Sequence, residues 1–255
     1  MGGSTSAQNI ADVTDREPPF HTDFVYTDRH TKARYVFLKY GELLRGTVLD
    51  VGCDEGHLRE HLEGRASYWG IGLGGNPDQE VDLEKGPLPC SDNSFDCVLC
   101  MDVLEHLDNL HEVFDELCRV SRRHVIVSLP NPYSSFYNML CQGDYRPGVA
   151  AKFYGLPPEP PADRHKWFFS YTEAEAIVRH RAAKNGLSVV QIDCEGTSGE
   201  GRGARGRLRR RARDILFHKD FNTRNLYAGT LWAVLEKGTS SSGRAPVSEP
   251  KEITR

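Results

Sequence analysis

Acidic side chains and glycines alternate in the segment VLDVGCDEGHL, residues 48–58, which joins a short apolar stretch to an amphipathic one. Glycine allows a sharp turn and lets a ligand approach the backbone closely. Where such a loop follows a buried strand, the ligand lies at the carboxyl ends of neighbouring parallel strands. We therefore predict a ligand-binding loop containing Asp50, Gly52, Cys53 and Gly56.

The charges around this loop indicate the kind of ligand. Asp54 and Glu55 occupy the positions where a dinucleotide-binding loop holds a pyrophosphate, and like charges repel at close range. Further acids follow two other predicted strands, at Asp82 and then at Asp102 and Glu105. An acid-lined rim favours a cationic cofactor without phosphate. S-adenosylmethionine (SAM), which carries a sulfonium and an ammonium group, is such a cofactor.

A second group of chemically active side chains follows the fourth predicted strand. Asp102, Glu105 and His106 are spaced i, i+3 and i+4, which places them near one helical face. His165 lies further along, in RHKWFFSYTEAEA. The simplest interpretation is a set of cofactor-side caps with a structural histidine. Alternatively, His106 or His165 is a general base for an alcohol or phenol acceptor, with Glu105 beside it.

The elements that position these residues follow from the hydrophobic pattern. Strand-like and helix-like stretches alternate, which is typical of βαβ units around a parallel sheet. We expect Thr172 to cap the last helix and Gly186 to end it. The predicted strands are 47–51, 68–73, 80–83, 94–101, 124–130, 187–193 and 227–236, and the predicted helices are 29–45, 57–64, 104–120 and 173–185.

Several segments fall outside this alternation. Residues 131–170 are rich in proline and aromatic residues and are predicted to form a substrate-side insertion. A basic insertion is predicted over 196–221, and its arginines from Arg202 to Arg213 are candidates for contact with RNA or an anionic surface. We expect residues 1–20 and 238–255 to be disordered, which leaves a single domain over 21–237.

Composition limits the class of protein. The 255 residues carry 36 acidic and 32 basic side chains, a net charge of −4, which argues against a surface that binds nucleic acid throughout. No apolar run approaches the ~18 residues of a membrane-spanning helix. Seven cysteines without a secretory signal favour reduced thiols and a cytoplasmic location.

Three segments together carry a family resemblance: DVGCDEG, LPCSDNSFDCVLCMDVLEHL and VIVSLPN. The chain resembles the class I SAM-dependent methyltransferases, in particular the type-11 and methionine-biosynthesis-W-like group. The resemblance is strong over 46–131 and looser over 165–194. It implies an α/β fold: a doubly wound, mostly parallel seven-stranded sheet with helices on both faces and an antiparallel last strand.

The resemblance also implies roles for individual residues. Asp50 anchors the methionyl amine of SAM, with Gly52 beside the cofactor. Asp82 faces the adenine N6 amine, with Leu83 next to it. The cofactor is further bordered by Met101 and Asp102.

The Asp102, Glu105, His106 and His165 pattern is similar to the E-x-x-E-H plus His set of some metal-assisted O-methyltransferases. That similarity implies bound Mg²⁺ or Mn²⁺, which would orient and acidify a substrate hydroxyl. The residues alone leave metal dependence open.

Two positions depart from the family pattern. Asp54 replaces the middle glycine of D-x-G-x-G-x-G. Gly72 stands where the family places the acidic ligand of the cofactor ribose, and Asn76 or Asp78 are the alternatives for that role.

We predict a SAM-dependent methyltransferase that methylates oxygen on a small molecule or glycoconjugate. The alternatives are an RNA methyltransferase that uses residues 200–220 and a binding module without catalytic activity.

Overall fold

Seven strands form one sheet in this computed structural model, which describes residues 18–142, 154–155, 159–161, 163–195, 224–238 and the single positions 208, 212 and 222. The strands are β1 Gly46–Val51, β2 Ala66–Gly72, β3 Gln79–Glu80, β4 Phe95–Met101, β5 Ser121–Leu129, β6 Leu187–Cys194 and β7 Leu231–Lys237. Their order is β3-β2-β1-β4-β5-β7-β6. Strands β1 to β5 pair in parallel, and β7 runs antiparallel to both β5 and β6. The predicted seven-stranded, mostly parallel sheet is confirmed.

Helices cover both faces of this sheet. They are α1 Arg29–Tyr40, α2 Leu58–Leu62, α3 Leu110–Val120, α4 Pro132–Gln142, α5 Tyr171–Lys184 and α6 Arg224–Tyr227, with a 3-10 turn at Leu104–His106. One hydrophobic cluster packs α3 and α5 against the sheet, and a second packs α1 and α2 against the other face. None of the helices in the described ranges is long and apolar enough to cross a membrane.

The two cysteines of β4 illustrate the alternation that makes both clusters possible. Cys97 belongs to the cluster under α1 and α2, whereas Cys100 belongs to the cluster under α3 and α5. Both are fully buried. Two residues three apart on a strand point to opposite faces, so this C-x-x-C pair is core packing rather than a shared metal site.

The structure corrects several predicted boundaries. The first helix ends at Tyr40 rather than residue 45, and the third strand pairs only at Gln79–Glu80 rather than 80–83. The predicted helix 104–120 is broken after the 3-10 turn, where the Asn109 side chain donates to the carbonyl of Leu83. The last strand begins at residue 231, because the residues before it form α6.

Helix α5 begins two residues earlier than its predicted cap implies. Ser170, not Thr172, is the N-cap, and it forms a reciprocal capping box with Glu173. Thr172 instead bonds to the side chain of Asn225. The predicted basic insertion 196–221, including Arg202–Arg213, lies outside the described residues except for positions 208 and 212. The same is true of the predicted terminal segments, except for residues 18–20 and 238.

Candidate functional site

A cleft of about 970 Å³ opens at the carboxyl ends of β1, β2 and β4. The strand order reverses between β1 and β4, and a reversal of this kind leaves a crevice in which ligands bind. Ten of the eleven predicted site residues line the cleft: Asp50, Gly52, Cys53, Asp82, Leu83, Met101, Asp102, Glu105, His106 and His165. Gly56 is not among the lining residues; its amide donates to the carbonyl of Cys53 and closes the turn.

Asp50 lies at the centre of the cleft floor, near the end of β1. Its side chain accepts a hydrogen bond from the Tyr68 hydroxyl at 2.8 Å through Oδ2, whereas Oδ1 is buried and has no partner among the described residues. Burial raises the pKa of Asp50 to about 6, against the opposing effects of Tyr68 and of the Lys32 charge. A buried carboxylate oxygen without a donor can bind a cationic or donor group of a ligand.

Asp102 follows β4 and is held by two neighbours. Lys32 Nζ lies 2.5 Å from its Oδ2, and the Ser128 hydroxyl donates to its Oδ1 at 2.6 Å. Each carboxylate oxygen therefore has one partner from the protein. Within the described residues, the group that could hold a metal ion contains Glu105 and two histidines but not Asp102. The four-ligand set that the sequence pattern implied is thus not assembled here.

Asp82 follows β3 at the edge of the cleft. Its carboxylate lies 3.0 Å from Lys85 Nζ and accepts from the amide of Glu84. The hydrogen bond from Lys85 holds the pKa of Asp82 below its usual range. Leu83 beside it is buried and adds apolar surface to the same wall.

The backbone of the loop after β1 accommodates Asp54, the residue that replaces the middle glycine of the family pattern. Asp54 has φ +51°, the left-handed conformation that glycine usually supplies and that aspartate tolerates better than most residues. Its side chain pairs with Arg29 of α1 at 2.5 Å, and its carbonyl accepts from the Asn76 amide. A Cβ on Gly75 would lie 2.2 Å from the Asp54 carbonyl carbon, so the loops after β1 and β2 pack without space for a side chain.

The Gly72 departure coincides with a close approach between the ends of β1 and β2. A Cβ at Gly72 would lie 3.2 Å from the Cα of Gly52, so an acidic side chain here would require the neighbouring backbone to move by a few tenths of an ångström. Neither suggested replacement lines the cleft. Asp78 is held by a two-pronged contact from Arg59 and by the Gly70 amide.

Glu105, His106 and His165 come together in the same cleft. Glu105 is fully buried, and neither carboxylate oxygen has a hydrogen-bond partner among the described residues. The Nε2 atoms of His106 and His165 lie 3.8 and 3.9 Å from Glu105 Oε1. Burial, with the Asp102 charge as a smaller contribution, raises the pKa of Glu105 well above its usual range.

The Nδ1 atoms of both histidines have defined partners. His106 Nδ1 lies 2.6 Å from a carboxylate oxygen of Asp163, which can only accept. His165 Nδ1 lies 2.9 Å from the Tyr154 hydroxyl, which itself donates to the carbonyl of Trp167. Both Nδ1 atoms therefore act as donors, and in the neutral rings Nε2 carries the lone pair.

The segment that carries His165 is tied to the turn that carries Glu105. The Lys166 amide donates to the Glu105 carbonyl at 2.8 Å, and its ammonium pairs with Glu84 at 2.6 Å. The Trp167 indole donates to the Leu107 carbonyl at 2.7 Å. These contacts bring together groups that are about 60 residues apart in sequence.

Several residues of the site were not predicted from the sequence. Lys32, Tyr68, Tyr154 and Asp163 all contact predicted site residues. Tyr68 is the one of these that a local pattern could have indicated. Gly70, two residues later, lies on the same strand face, and a Cβ there would come within 3.1 Å of the tyrosine hydroxyl. The other three reach the site through tertiary packing and carry no motif.

Comparison with known proteins identifies the family. A family described as a methyltransferase domain matches residues 27–192, more than half of the chain. The chain is similar in structure to a SAM-dependent methyltransferase from Archaeoglobus fulgidus, with 16% identity, a TM-score of 0.52 and coverage of 82% of this chain and 94% of that one. It is also similar to magnesium protoporphyrin IX methyltransferase from Synechocystis PCC 6803 with bound SAH, with 18% identity, coverage of 82% and 83%, and a TM-score of 0.47.

No curated protein sequence matches the chain. The assignment therefore comes from the family match, and the sheet order agrees with it, including the antiparallel β7 that the resemblance implied. The chain belongs to the methyltransferase domain family and has the class I methyltransferase fold.

Proposed function

We propose that this methyltransferase binds SAM in the cleft and methylates a hydroxyl oxygen of a small molecule or glycoconjugate. The observation that carries the proposal is the buried, unpartnered Oδ1 of Asp50 in the same cleft as Glu105, His106 and His165. SAM supplies an electrophilic methyl group on a sulfonium, which needs no further activation by the protein.

The cofactor end of the cleft has the chemistry that SAM requires. Asp50 Oδ1 offers a carboxylate oxygen to the methionyl ammonium. Asp82 and Leu83 offer an acceptor and an apolar surface to the adenine, and Met101 offers a further contact beside Asp102. Gly52 and Cys53 shape the loop next to the cofactor. A volume of about 970 Å³ is at the upper end of the range typical of ligand pockets.

The acceptor end supports oxygen as the methylated atom. A hydroxyl becomes a strong nucleophile only as its proton leaves, and His106 and His165 with Glu105 provide groups that act on a proton or on a developing oxyanion. An aromatic surface lies nearby, where Phe168 is half exposed and contacts the rings of Tyr133 and Tyr154 at centroid distances of 5.0 Å. This surface suits an acceptor with an apolar or ring-containing body.

The test is a transfer assay with methyl-labelled SAM and separate pools of phenols and alcohols, glycosides, amines and RNA. We expect label in a hydroxyl-bearing pool and loss of transfer by at least about tenfold in His165→Ala, since a general acid–base contribution is typically about 10²-fold or more. His180→Gln, at an exposed position of α5, is the matched control. Label recovered only in amines or RNA would contradict the proposed acceptor.

A further inference from the structure

Glu105 presents a problem that its protein neighbours do not solve. Its side chain is fully buried, yet both carboxylate oxygens lack a hydrogen-bond donor among the described residues. The nearest imidazole nitrogens, at 3.8 and 3.9 Å, are beyond hydrogen-bond distance. A buried carboxyl group left without a partner is costly. A ligand between these atoms would remove that cost.

The donor arrangement indicates what that ligand is. A carboxylate oxygen of Glu105 and one nitrogen each of His106 and His165 lie within 4.8 Å of one another. First-row metal ions bind such nitrogen and oxygen donors at about 2.0–2.2 Å, so an ion bound to all three atoms would require the side chains to close in on one another by up to about 1.5 Å.

The outer contacts of the two histidines match those of metal ligands. Metal-bound histidines usually donate their other ring N–H to a carboxylate, a backbone carbonyl or water, which fixes the ring and its tautomer, and a side-chain hydroxyl can accept in the same way. His106 makes this contact with Asp163, and His165 makes it with Tyr154. The rings stand at 88° to each other, with centroids 4.6 Å apart.

From this geometry we propose that Glu105, His106 and His165 bind one divalent transition metal ion on the acceptor side of the cleft. Two imidazoles and one carboxylate suit Zn²⁺, Mn²⁺, Co²⁺ or Fe²⁺, whereas Mg²⁺ prefers sites made only of oxygen. Asp102 is not among the clustered donors, and its carboxylate is held by Lys32 and Ser128. Three protein ligands leave a coordination position open, as in catalytic sites.

The role of this ion rests on the proposed function. All three ligands line the same cleft as Asp50, so an acceptor hydroxyl in the cleft can reach the open position. Glu105, His106 and His165 would hold the ion beside the acceptor hydroxyl, where it would orient the oxygen and lower the pKa of its proton, and that proton would pass to water in the cleft. The site thereby selects acceptors whose hydroxyl can coordinate a metal ion.

Metal binding is testable without any turnover. The full chain, stripped with chelator, is titrated calorimetrically with Zn²⁺, Mn²⁺ and Mg²⁺, and with Co²⁺ while its visible absorption is recorded. We expect one equivalent of Zn²⁺ or Co²⁺ with a visible Co²⁺ band, weaker Mn²⁺ binding, and Mg²⁺ binding weaker than any of these. Glu105→Gln and His165→Ala should remove this binding.

Two further variants sharpen the test. Asp163→Asn, which alters the support of His106 but not a ligand, should weaken the metal affinity by about 10–100-fold. The exposed His180→Gln should bind as the unaltered protein does. SAM titration and thermal melting of every variant report on folding.

The outcomes separate the two proposals. Absence of stoichiometric Zn²⁺ and Co²⁺ binding, or equal binding in Glu105→Gln and His165→Ala, would overturn the metal site; if SAM still binds, the proposed function survives. Metal binding that depends on these ligands, in a chain that does not bind SAM, would support the site but contradict the proposed function.

Discussion

The two ends of the cleft are built in different ways. The cofactor end comes from loops that directly follow β1 and β3, where Asp50, Gly52 and Asp82 lie within a few residues of a strand end. The acceptor end instead joins the turn after β4 to a segment about 60 residues later, through Glu105 and His165. The first end depends on local strand geometry, and the second depends on docking between remote segments.

The two ends of the cleft therefore place different requirements on the sequence. A strand fixes the direction of the next side chains, so acids and glycines after it predict a site. The acceptor end exists only while Lys166 and Trp167 hold their segment against the turn. We therefore expect changes at the cofactor end to affect the whole fold and SAM binding together, and changes at the acceptor end to leave SAM binding intact.

The largest effect should come from Gly52→Val. The position has φ +79°, and a Cβ there would lie 2.3 Å from a methyl carbon of Val103. Strain and overpacking should together cost about 3 kcal/mol in unfolding free energy and abolish SAM binding. Urea denaturation measures the cost. Gly64→Val is the matched control, since it has φ +71° but nothing within 4 Å of the added Cβ; equal losses in the two variants would contradict the close packing of the loop.

The next effect is expected from Tyr68→Phe. The change removes the one donor that the described residues offer to Asp50 Oδ2 and should lower stability by about 2 kcal/mol at pH 7.5, where the buried carboxylate is charged. It should also move the pKa of Asp50 above 6, because the lost hydrogen bond favours the ionised form. Urea denaturation at pH 5 and 7.5 measures both. Equal stability losses at the two pH values would show that Tyr68 does not act through this charge.

The pH dependence of SAM affinity tests Asp50 in the unaltered chain. The methionyl ammonium pairs with the ionised carboxylate, so affinity should be highest above pH 6 and fall by about tenfold per pH unit below it. Stability of the free protein should change in the opposite direction. Burial raises the pKa of the folded state, so stability is lost as the pH rises from about 4 through 6. Calorimetry between pH 4.5 and 8 measures the SAM affinity. An affinity that does not change with pH in the unaltered chain would count against Asp50 as the ammonium ligand.

A smaller and more local effect is expected from Trp167→Phe. The variant keeps an aromatic ring but loses the indole donor to Leu107, at a cost of about 1 kcal/mol. Hydrogen exchange at the Lys166 amide should accelerate, because that amide bonds to Glu105 across the same contact. SAM affinity should not change. A parallel loss of SAM affinity would show that the two ends of the cleft are not independent.

The smallest effect is expected from Asp54→Gly. Glycine removes the left-handed strain of Asp54 but also removes the half-exposed ion pair with Arg29 and increases the entropy of the unfolded chain. These terms oppose one another, so stability should change by less than about 0.5 kcal/mol and SAM affinity by less than about threefold. Calorimetry of the variant tests this; a large gain in affinity would mean that Asp54 impairs the cofactor loop.

Short local patterns predict the alternation of strands and helices and the acids and glycines that line the cleft, whereas the antiparallel last strand follows from the family resemblance. The helix boundaries that the sequence misplaces are set by tertiary contacts. Asn109 interrupts a continuous helical pattern by bonding to Leu83, and Asn225 takes Thr172 away from the cap position. Gly72 shows the same limit, since only the structure shows how closely the backbone after β1 approaches this position.

The acceptor end was predictable as a list of residues but not as a geometry. Glu105 and His106 are neighbours, so their proximity follows from the chain itself. His165 joins these two residues, whereas Asp102 does not. Asp102 is instead paired with Lys32, which reaches it from α1. No spacing rule connects a lysine on the first helix with an aspartate 70 residues later.

The most direct test of the account is calorimetric titration of the purified chain with SAM and with its demethylated product, beside an Asp50→Ala variant. We expect binding of one equivalent of SAM with micromolar affinity, abolished by the substitution while thermal melting shows a folded protein. SAM binding of equal strength in Asp50→Ala, or no SAM binding by the unaltered chain, would contradict the claim that this cleft is a SAM site built on Asp50.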